Sequence, residues 1–121
     1  MIVTQSCEVL PLVTINLVVY NGEKYIRLCL DSVKNQTYPG IEVNIWDNGS
    51  TDKTKETVKE WLSSISHQPT PKFSFVESKE NLGMWPAQEE LLQHSHGEYI
   101  VVLSVDVILH PDFIKNAVEA M

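Results

Sequence analysis

Residues 12–50 read LVTINLVVYNGEKYIRLCLDSVKNQTYPGIEVNIWDNGS, and changes of periodicity within them decide the fold. Leu12–Val19 is rich in β-branched residues and sets Val13, Ile15, Leu17 and Val19 on one face, the two-residue repeat of a strand. Asn21-Gly22 breaks that run. Glu23–Asn35 then spaces Ile26, Cys29, Leu30 and Val33 as a helical stripe. Tyr38-Pro39-Gly40 is a turn, after which Ile41–Trp46 alternates again with Ile41, Val43 and Ile45 on one side. Strand, helix and strand in succession form a βαβ unit, whose crossover makes the two strands parallel.

Working outward, Asp47-Asn48-Gly49-Ser50 ends the second strand and opens a helix, with Ser50 or Thr51 predicted as its N-cap. Thr54, Val58, Trp61, Leu62 and Ile65 keep helical spacing, the helix running to about Ser64. His67–Pro71 holds two prolines and reads as a loop, and Phe73–Glu77 as a short third strand. Asn81-Leu82-Gly83 is a turn. Pro86 suits the first turn of a third helix ending near Ser95, and Gly97 is predicted to close it in the left-handed conformation. Glu98–Val105 is almost wholly apolar and is expected to be a central strand buried on both faces. Pro111 opens a last helix with Phe113, Ile114, Ala117, Val118 and Met121 on one stripe. The order β-α-β-α-β-α-β-α predicts an α/β fold: a Rossmann-like three-layer α/β/α sandwich around a four-stranded, mainly parallel sheet.

Composition narrows the function. A chain of 121 residues, 43% hydrophobic and 21% charged, is one domain with enough apolar side chains for a core. Its net charge of −7 argues against nucleic acid as a partner, because phosphate neutralisation needs a basic face. An anionic phosphate ligand on so acidic a chain calls for added positive charge, most simply a divalent cation. Cys7 and Cys29 have no metal-ligand spacing, and Cys29 lies on an apolar helical face as a small hydrophobe. That usage, with no basic n-region in Met1–Glu8 and no membrane-length apolar run, leads us to expect a cytoplasmic protein without a membrane segment.

Polar residues follow every predicted strand: Tyr20-Asn21, Asp47-Asn48-Gly49-Ser50, Asn81-Leu82-Gly83 and Ser104-Val105-Asp106. In a parallel sheet these ends share one edge, where open α/β sheets bind ligands. Each turn alone also has a purely structural reading, since Asn and Gly form turns readily. Asp106 differs, because it follows an apolar strand in which an unpaired carboxylate would cost several kcal/mol. Neither GxxxxGK[ST] nor GxGxxG occurs, which disfavours P-loop and dinucleotide sites. Carboxylates at a sheet edge suit Mg²⁺ or Mn²⁺ shared with substrate phosphates.

The stretches VTINLVVYNGEKYIRLCLDSVKNQTYPGIEVNIWDNGSTDKT and ENLGMWPAQEELLQHSHGEYIVVLSVDVILHPDFI resemble the opening of family-2 glycosyltransferases of the GT-A type. The resemblance spans about residues 11 to 117 and makes 1–121 one such domain, the N-terminal donor-binding part of a truncated GT-A fold with the acceptor-binding part absent. It implies transfer of a sugar from a nucleotide-diphosphate sugar, UDP- or dTDP-linked, to an acceptor hydroxyl on a glycan or lipid-linked glycan, as in cell-surface polysaccharide synthesis. Nucleotide-sugar contacts then fall to Tyr20 beside the nucleobase, Asn21, Asp47, Asn48 on the base edge, Gly83, Ser104 and Asp106. Asp106 matches the last Asp of the Asp-x-Asp motif and is the implied ligand of Mg²⁺ or Mn²⁺ bridging the diphosphate. No residue present matches the family's general base, which lies beyond the equivalent of Met121; an oligomer partner or further chain would have to supply it.

The sequence also departs from that pattern. Ser104 stands at the first Asp of Asp-x-Asp, Val18 where many relatives have Thr or Ser, and Gln88-Glu89 where relatives often have Arg-Asn or Asn-Asn. His94 and His96 are two apart near a helix end, a poor zinc pair, and His110 is placed to cap the last helix. Trp46 and Trp85 are expected in the core. The alternative to a transferase is a non-catalytic nucleotide-sugar-binding or interaction domain of the same fold.

Overall fold

The computed structural model describes residues 10–66 and 71–120; Cys7, the Met1–Glu8 segment, most of the His67–Pro71 loop and Met121 lie outside them. Eight elements alternate: β1 (Val13–Val19), α1 (Ile26–Lys34), β2 (Ile41–Asp47), α2 (Thr54–Ser64), β3 (Lys72–Glu77), α3 (Met84–Gln93), β4 (Tyr99–Leu103) and α4 (Phe113–Glu119). The strands form one sheet in the order β3-β2-β1-β4, and all three pairings are parallel.

That order follows from two opposite crossings. α1 and α2 carry the chain outward from β1 to β2 to β3, and α3 carries it back across to β4 on the far side of β1. Right-handed crossovers in opposite directions place α3 on the other face from α1 and α2, which gives the three layers. The strand alternation agrees. Val13, Ile15, Leu17 and Val19 of β1 and Val43 and Ile45 of β2 form the main core with Ile26, Cys29, Leu30, Val33, Val58 and Trp61. On the opposite face Val18 and Trp46 pack with Ala87 and Leu91 of α3 in a smaller cluster. Polar residues share that face: the Asn44 amide donates to Asn16 Oδ1 (3.0 Å), and Asn16 donates to Ser95 Oγ (3.0 Å).

Several expectations are corrected. β4 is an edge strand rather than a central one: among the described residues it pairs only with β1, and Val102 is 59% exposed. Its apolar composition therefore reflects two potentially buried faces of which one is uncovered here. Gly97 does not close α3 in the left-handed conformation; the helix ends at Gln93 with His94 as C-cap. A glycine is needed there because a Cβ would lie 2.6 Å from the Thr14 backbone nitrogen. Neither Ser50 nor Thr51 caps α2, which starts at Thr54, whose N–H donates to Asp52 Oδ1 (2.9 Å). Trp46 is buried as expected, but Trp85 points outward from α3 and is 73% exposed.

Candidate functional site

The carboxyl ends of the four strands lie along one edge, and hydrogen bonds stitch their loops together. Asn21 follows β1 in the left-handed region (φ 51°), a conformation that Asn tolerates better than most residues. There its Oδ1 accepts from the N–H groups of Thr51 (2.8 Å) and Asp52 (3.3 Å), while its own N–H donates to Ser50 Oγ (2.9 Å). Gly22 N–H donates to Thr54 Oγ1 (2.9 Å), and Thr54 in turn donates to Asp52 Oδ1 (2.5 Å). Burial pushes the Asp52 carboxyl up, but the Thr54 hydroxyl and N–H outweigh it and hold the group below its ordinary value. The β1–α1 and β2–α2 loops thus form one rigid ledge.

The third strand end joins this ledge through Asn48. Its Oδ1 accepts from Trp46 Nε1 (3.2 Å) and Leu82 N–H (3.0 Å), and its Nδ2 donates to Asn81 Oδ1 (3.0 Å) and Gly83 O (3.3 Å). Both neighbours of Oδ1 are N–H donors, so the amide has one allowed orientation. Gly83 (φ 89°) closes the same turn, its N–H donating to Asn81 Oδ1 (2.7 Å). Gly49 (φ 82°) lets β2–α2 approach that turn; a Cβ there would lie 2.8 Å from Glu80 C.

The fourth strand end packs against the first. Gly22 has no side chain, and a Cβ on it would lie 3.1 Å from Val105 Cγ2, so the gap admits the Ser104–Val107 turn. Val107 N–H donates to Ser104 O (3.1 Å), and Cys29 Sγ lies 3.9 Å from the same oxygen. Burial, with a smaller effect from the Asp106 charge, pushes the Cys29 thiol up to about 11.

Of the residues singled out from sequence, Tyr20 (47% exposed), Ser104 and Asp106 are open to solvent at this edge. The exposure of Asp106 removes the burial argument made for it from sequence; its position at the sheet edge remains. Asp47 and Asn48 are buried, and Asn21 is occupied in holding loops. Asp47 Oδ2 accepts from Ser50 N–H (2.9 Å) with Lys55 Nζ at 3.9 Å, and its Oδ1 has no hydrogen-bond partner among the described residues. Asp52, Thr54 and Val105 organise the edge in ways the sequence did not signal, because each acts through a contact with the distant β1–α1 loop. His110 does not cap α4, whose N-cap is Asp112 with no side-chain cap hydrogen bond; its Nδ1 instead accepts from Asp112 N–H (3.1 Å) in the preceding turn. A separate groove of about 230 Å³, between α3 and β2–β3, is lined by Glu42, Asn44, Lys72, Ser74, His94 and His96 and lies away from the strand ends.

The residues fit a shared metal rather than a chain-held one. Among the described residues no three His, Cys, Asp or Glu side chains are placed to hold a metal ion. The exposed carboxylate of Asp106, with the Ser104 hydroxyl nearby in sequence, suits a hard cation that would take its other ligands from water and a diphosphate.

A parallel sheet of this order flanked by helices is the GT-A fold. Residues 14–121 match the family Glycosyl transferase family 2, and the chain belongs to it. Among curated relatives, it is 34% identical over 104 residues to the glycosyltransferase GlyA of Streptococcus pneumoniae, covering 86% of this chain and 14% of that protein. A chondroitin synthase of Escherichia coli is 36% identical over 109 residues, covering 90% of this chain and 15% of the relative. Among solved structures, the mannosyltransferase PcManGT from Pyrobaculum calidifontis, in complex with GDP-Man and Mn²⁺, superposes with a TM-score of 0.84 at 32% identity. That match covers 92% of this chain and 32% of the mannosyltransferase. TarS of S. aureus in complex with UDP-GlcNAc shares the fold at a TM-score of 0.77 and 23% identity, over 89% of this chain and 30% of that one. The chain therefore spans about a third or less of the length of these relatives. No helix among the described residues is long and apolar enough to cross a membrane.

Proposed function

We propose that this chain binds a nucleotide-diphosphate sugar at the carboxyl edge of its sheet, as the donor side of sugar transfer to an acceptor hydroxyl. The observation that carries this reading is the convergence of four strand ends on one edge where Tyr20, Ser104 and Asp106 are exposed. The PcManGT complex with GDP-Man and Mn²⁺, 32% identical to this chain, supports a nucleotide sugar and a divalent cation there.

In this reading the Tyr20 ring covers one face of the nucleobase, whose flat π-system stacks on an aromatic side chain. Asn21, Asp47, Asn48 and Gly83 act as positioning residues: they hold the three loops at fixed spacing before the ligand arrives, so less ordering accompanies binding. Ser104 and Asp106 are assigned to the diphosphate side, where Asp106 would hold Mg²⁺ or Mn²⁺. A cation bound there would offset the charge of the diphosphate on an otherwise acidic chain and would supply Lewis-acid stabilisation of its oxygens. UDP- or dTDP-sugars are the expected donors, and a glycan or lipid-linked glycan the expected acceptor class.

Calorimetric titration with UDP-, dTDP- and GDP-sugars, with and without Mn²⁺, tests this directly. Binding that strengthens at least tenfold with Mn²⁺ and loses that gain in Asp106→Ala is expected. Absence of binding by all three, with the protein folded, would sink the reading.

A further inference from the structure

The α3 face of the sheet carries a polar row that the opposite face lacks. Asn16, Asn44 and Ser74 are register partners across β1, β2 and β3, with Asn16 fully buried and Asn44 only 5% exposed. Apolar side chains would fill those places without desolvating polar groups, as Ile15 and Val43 do on the other face.

The hydrogen bonds of the row run in one direction. Ser95 Oγ donates to Leu91 O (2.8 Å) in preference to Asn16 Oδ1 at 3.4 Å, which leaves it to accept from Asn16 Nδ2 (3.0 Å). The Asn16 amide is thereby fixed with Oδ1 toward β2, where it accepts from Asn44 Nδ2 (3.0 Å). Asn44 must then turn its own Oδ1 away from Asn16. Among the described residues that oxygen accepts nothing, yet it is not sealed from solvent as Asp47 Oδ1 and Gln88 Oε1 are. It opens into the groove of about 230 Å³ between α3 and β2–β3. A row polarised from a backbone carbonyl thus ends, at the groove, in a bare acceptor that only a donor can satisfy.

The rest of the lining narrows the ligand. Glu42 is already engaged, by the Thr14 hydroxyl, the His96 N–H and the His96 ring, and its charge is offset by Lys72, its neighbour in the β2–β3 register. The side chains of Lys72, Ser74 and His94 make no hydrogen bond among the described residues and line the groove with donors. Val76, on the same face of β3 as Ser74, is 40% exposed and adds an apolar patch. The volume lies below the roughly 300–1,000 Å³ of clefts for drug-sized ligands, which leaves room for a single ring and not for a nucleotide. Asn44 precedes Asp47 by three residues, so the groove lies about 10 Å below the carboxyl edge of the sheet.

We propose that this groove is a second ligand site that holds one hydroxyl-rich pyranose ring. A ring hydroxyl donates to Asn44 Oδ1, Lys72 and Ser74 meet other ring oxygens, and the C–H face of the ring lies on Val76. Resting on the sugar-transfer reading, the ring is a unit of the acceptor glycan remote from the reacting hydroxyl.

NMR of the ¹³C,¹⁵N-labelled chain, titrated with the methyl glycosides of glucose, galactose, mannose and N-acetylglucosamine and with no nucleotide present, tests the site. At least one should bind saturably with a Kd on the order of 1 mM, the weak end of specific binding. It should move the Asn44 ¹³Cγ signal downfield, as an amide carbonyl does on gaining a hydrogen bond, and shift the backbone signals of Ser74 and His94. Ser74→Leu, a change at an exposed strand position beside Asn44, covers that oxygen and should weaken binding at least tenfold, the effect of one desolvated hydrogen bond. No saturable shift with any of the four glycosides overturns the proposal. So do shifts confined to Tyr20, Gly83 and Ser104, saturable binding that leaves Asn44 ¹³Cγ unmoved, or equal affinity in Ser74→Leu. Should Ser74→Leu fail to fold, the Asn44 ¹³Cγ signal of the unmodified protein decides alone. With no nucleotide present, failure here leaves the donor-binding reading standing, and that reading fails only in the nucleotide titration.

Discussion

The side-chain amide of Asn48 donates to Oδ1 of Asn81 at 3.0 Å, tying the end of β2 to the turn that opens α3. With its bonds to Gly83, Trp46 and Leu82, it holds two loops at the carboxyl edge of the sheet at a fixed separation. The side chain is only 2% exposed, so water cannot replace any partner that is lost.

Asn48→Asp is therefore expected to destabilise the fold by about 2–3 kcal/mol near neutral pH. The carboxylate keeps the two acceptor contacts but turns an oxygen toward two other acceptors. A urea unfolding series with a reduced midpoint and unchanged slope would match this; an unchanged midpoint would show that the amide is not a tie.

Gly49 makes the adjacent contact possible. At φ 82°, with a Cβ 2.8 Å from Glu80 C, Gly49→Ala meets both backbone strain and a clash with backbone atoms. A loss of about 2–3 kcal/mol is expected, in the range of overpacking and left-handed strain. Thermal unfolding of the variant measures it.

Cys29 should be inert in the native state. Burial and the Asp106 charge hold its thiol near 11, so little thiolate exists at neutral pH. In a Cys7→Ser background, a thiol-specific disulfide reagent at pH 7.5 should label Cys29 only as the protein unfolds. Fast labelling under native conditions would contradict the packing of α1 beneath Ser104.

Stability should fall on the acid side partly through Glu42. Burial pushes its carboxyl up, but the His96 N–H (2.6 Å), the Thr14 hydroxyl (2.7 Å) and the His96 ring together hold it below the ordinary 4.5. A lowered folded value means stability fully present above the unfolded value and lost as pH falls through the folded one. Glu42→Gln should cost about 1–2 kcal/mol at pH 7 and make the acid limb below pH 4.5 shallower. Asp52, held low in the same sense, leaves part of that limb in place.

Much of this was legible in the sequence, for reasons that differ by residue. The alternation of Val13, Ile15 and Leu17 and the helical stripe of Ile26, Cys29, Leu30 and Val33 are local patterns, and the elements formed where they predict. The edge position of β4 was not readable, because Tyr99–Leu103 is as apolar as a central strand and the return crossing of α3 is a long-range choice. Gly97 was misread because a glycine after a helix serves equally as a left-handed cap or as a gap for Thr14. At the edge, the sequence picked out four loops that the structure brings together, but not how each residue is used there. Asn21 and Asn48 have the chemistry either to meet a ligand or to stitch loops, and only their tertiary neighbours show the second use. Trp85 kept no core position because it faces outward from α3, away from Ala87 and Leu91.

Two-dimensional ¹H–¹⁵N NMR of the labelled chain during titration with UDP or GDP and Mg²⁺ tests donor binding at the sheet edge most directly. Shifts should concentrate at Tyr20, Gly83 and the Ser104–Val107 turn, and trace Mn²⁺ added with the nucleotide should broaden the signals around Asp106 first. Shifts confined to the groove of Glu42, Lys72 and His94, or no shifts at millimolar nucleotide, would contradict a nucleotide-sugar site at the carboxyl ends of these strands.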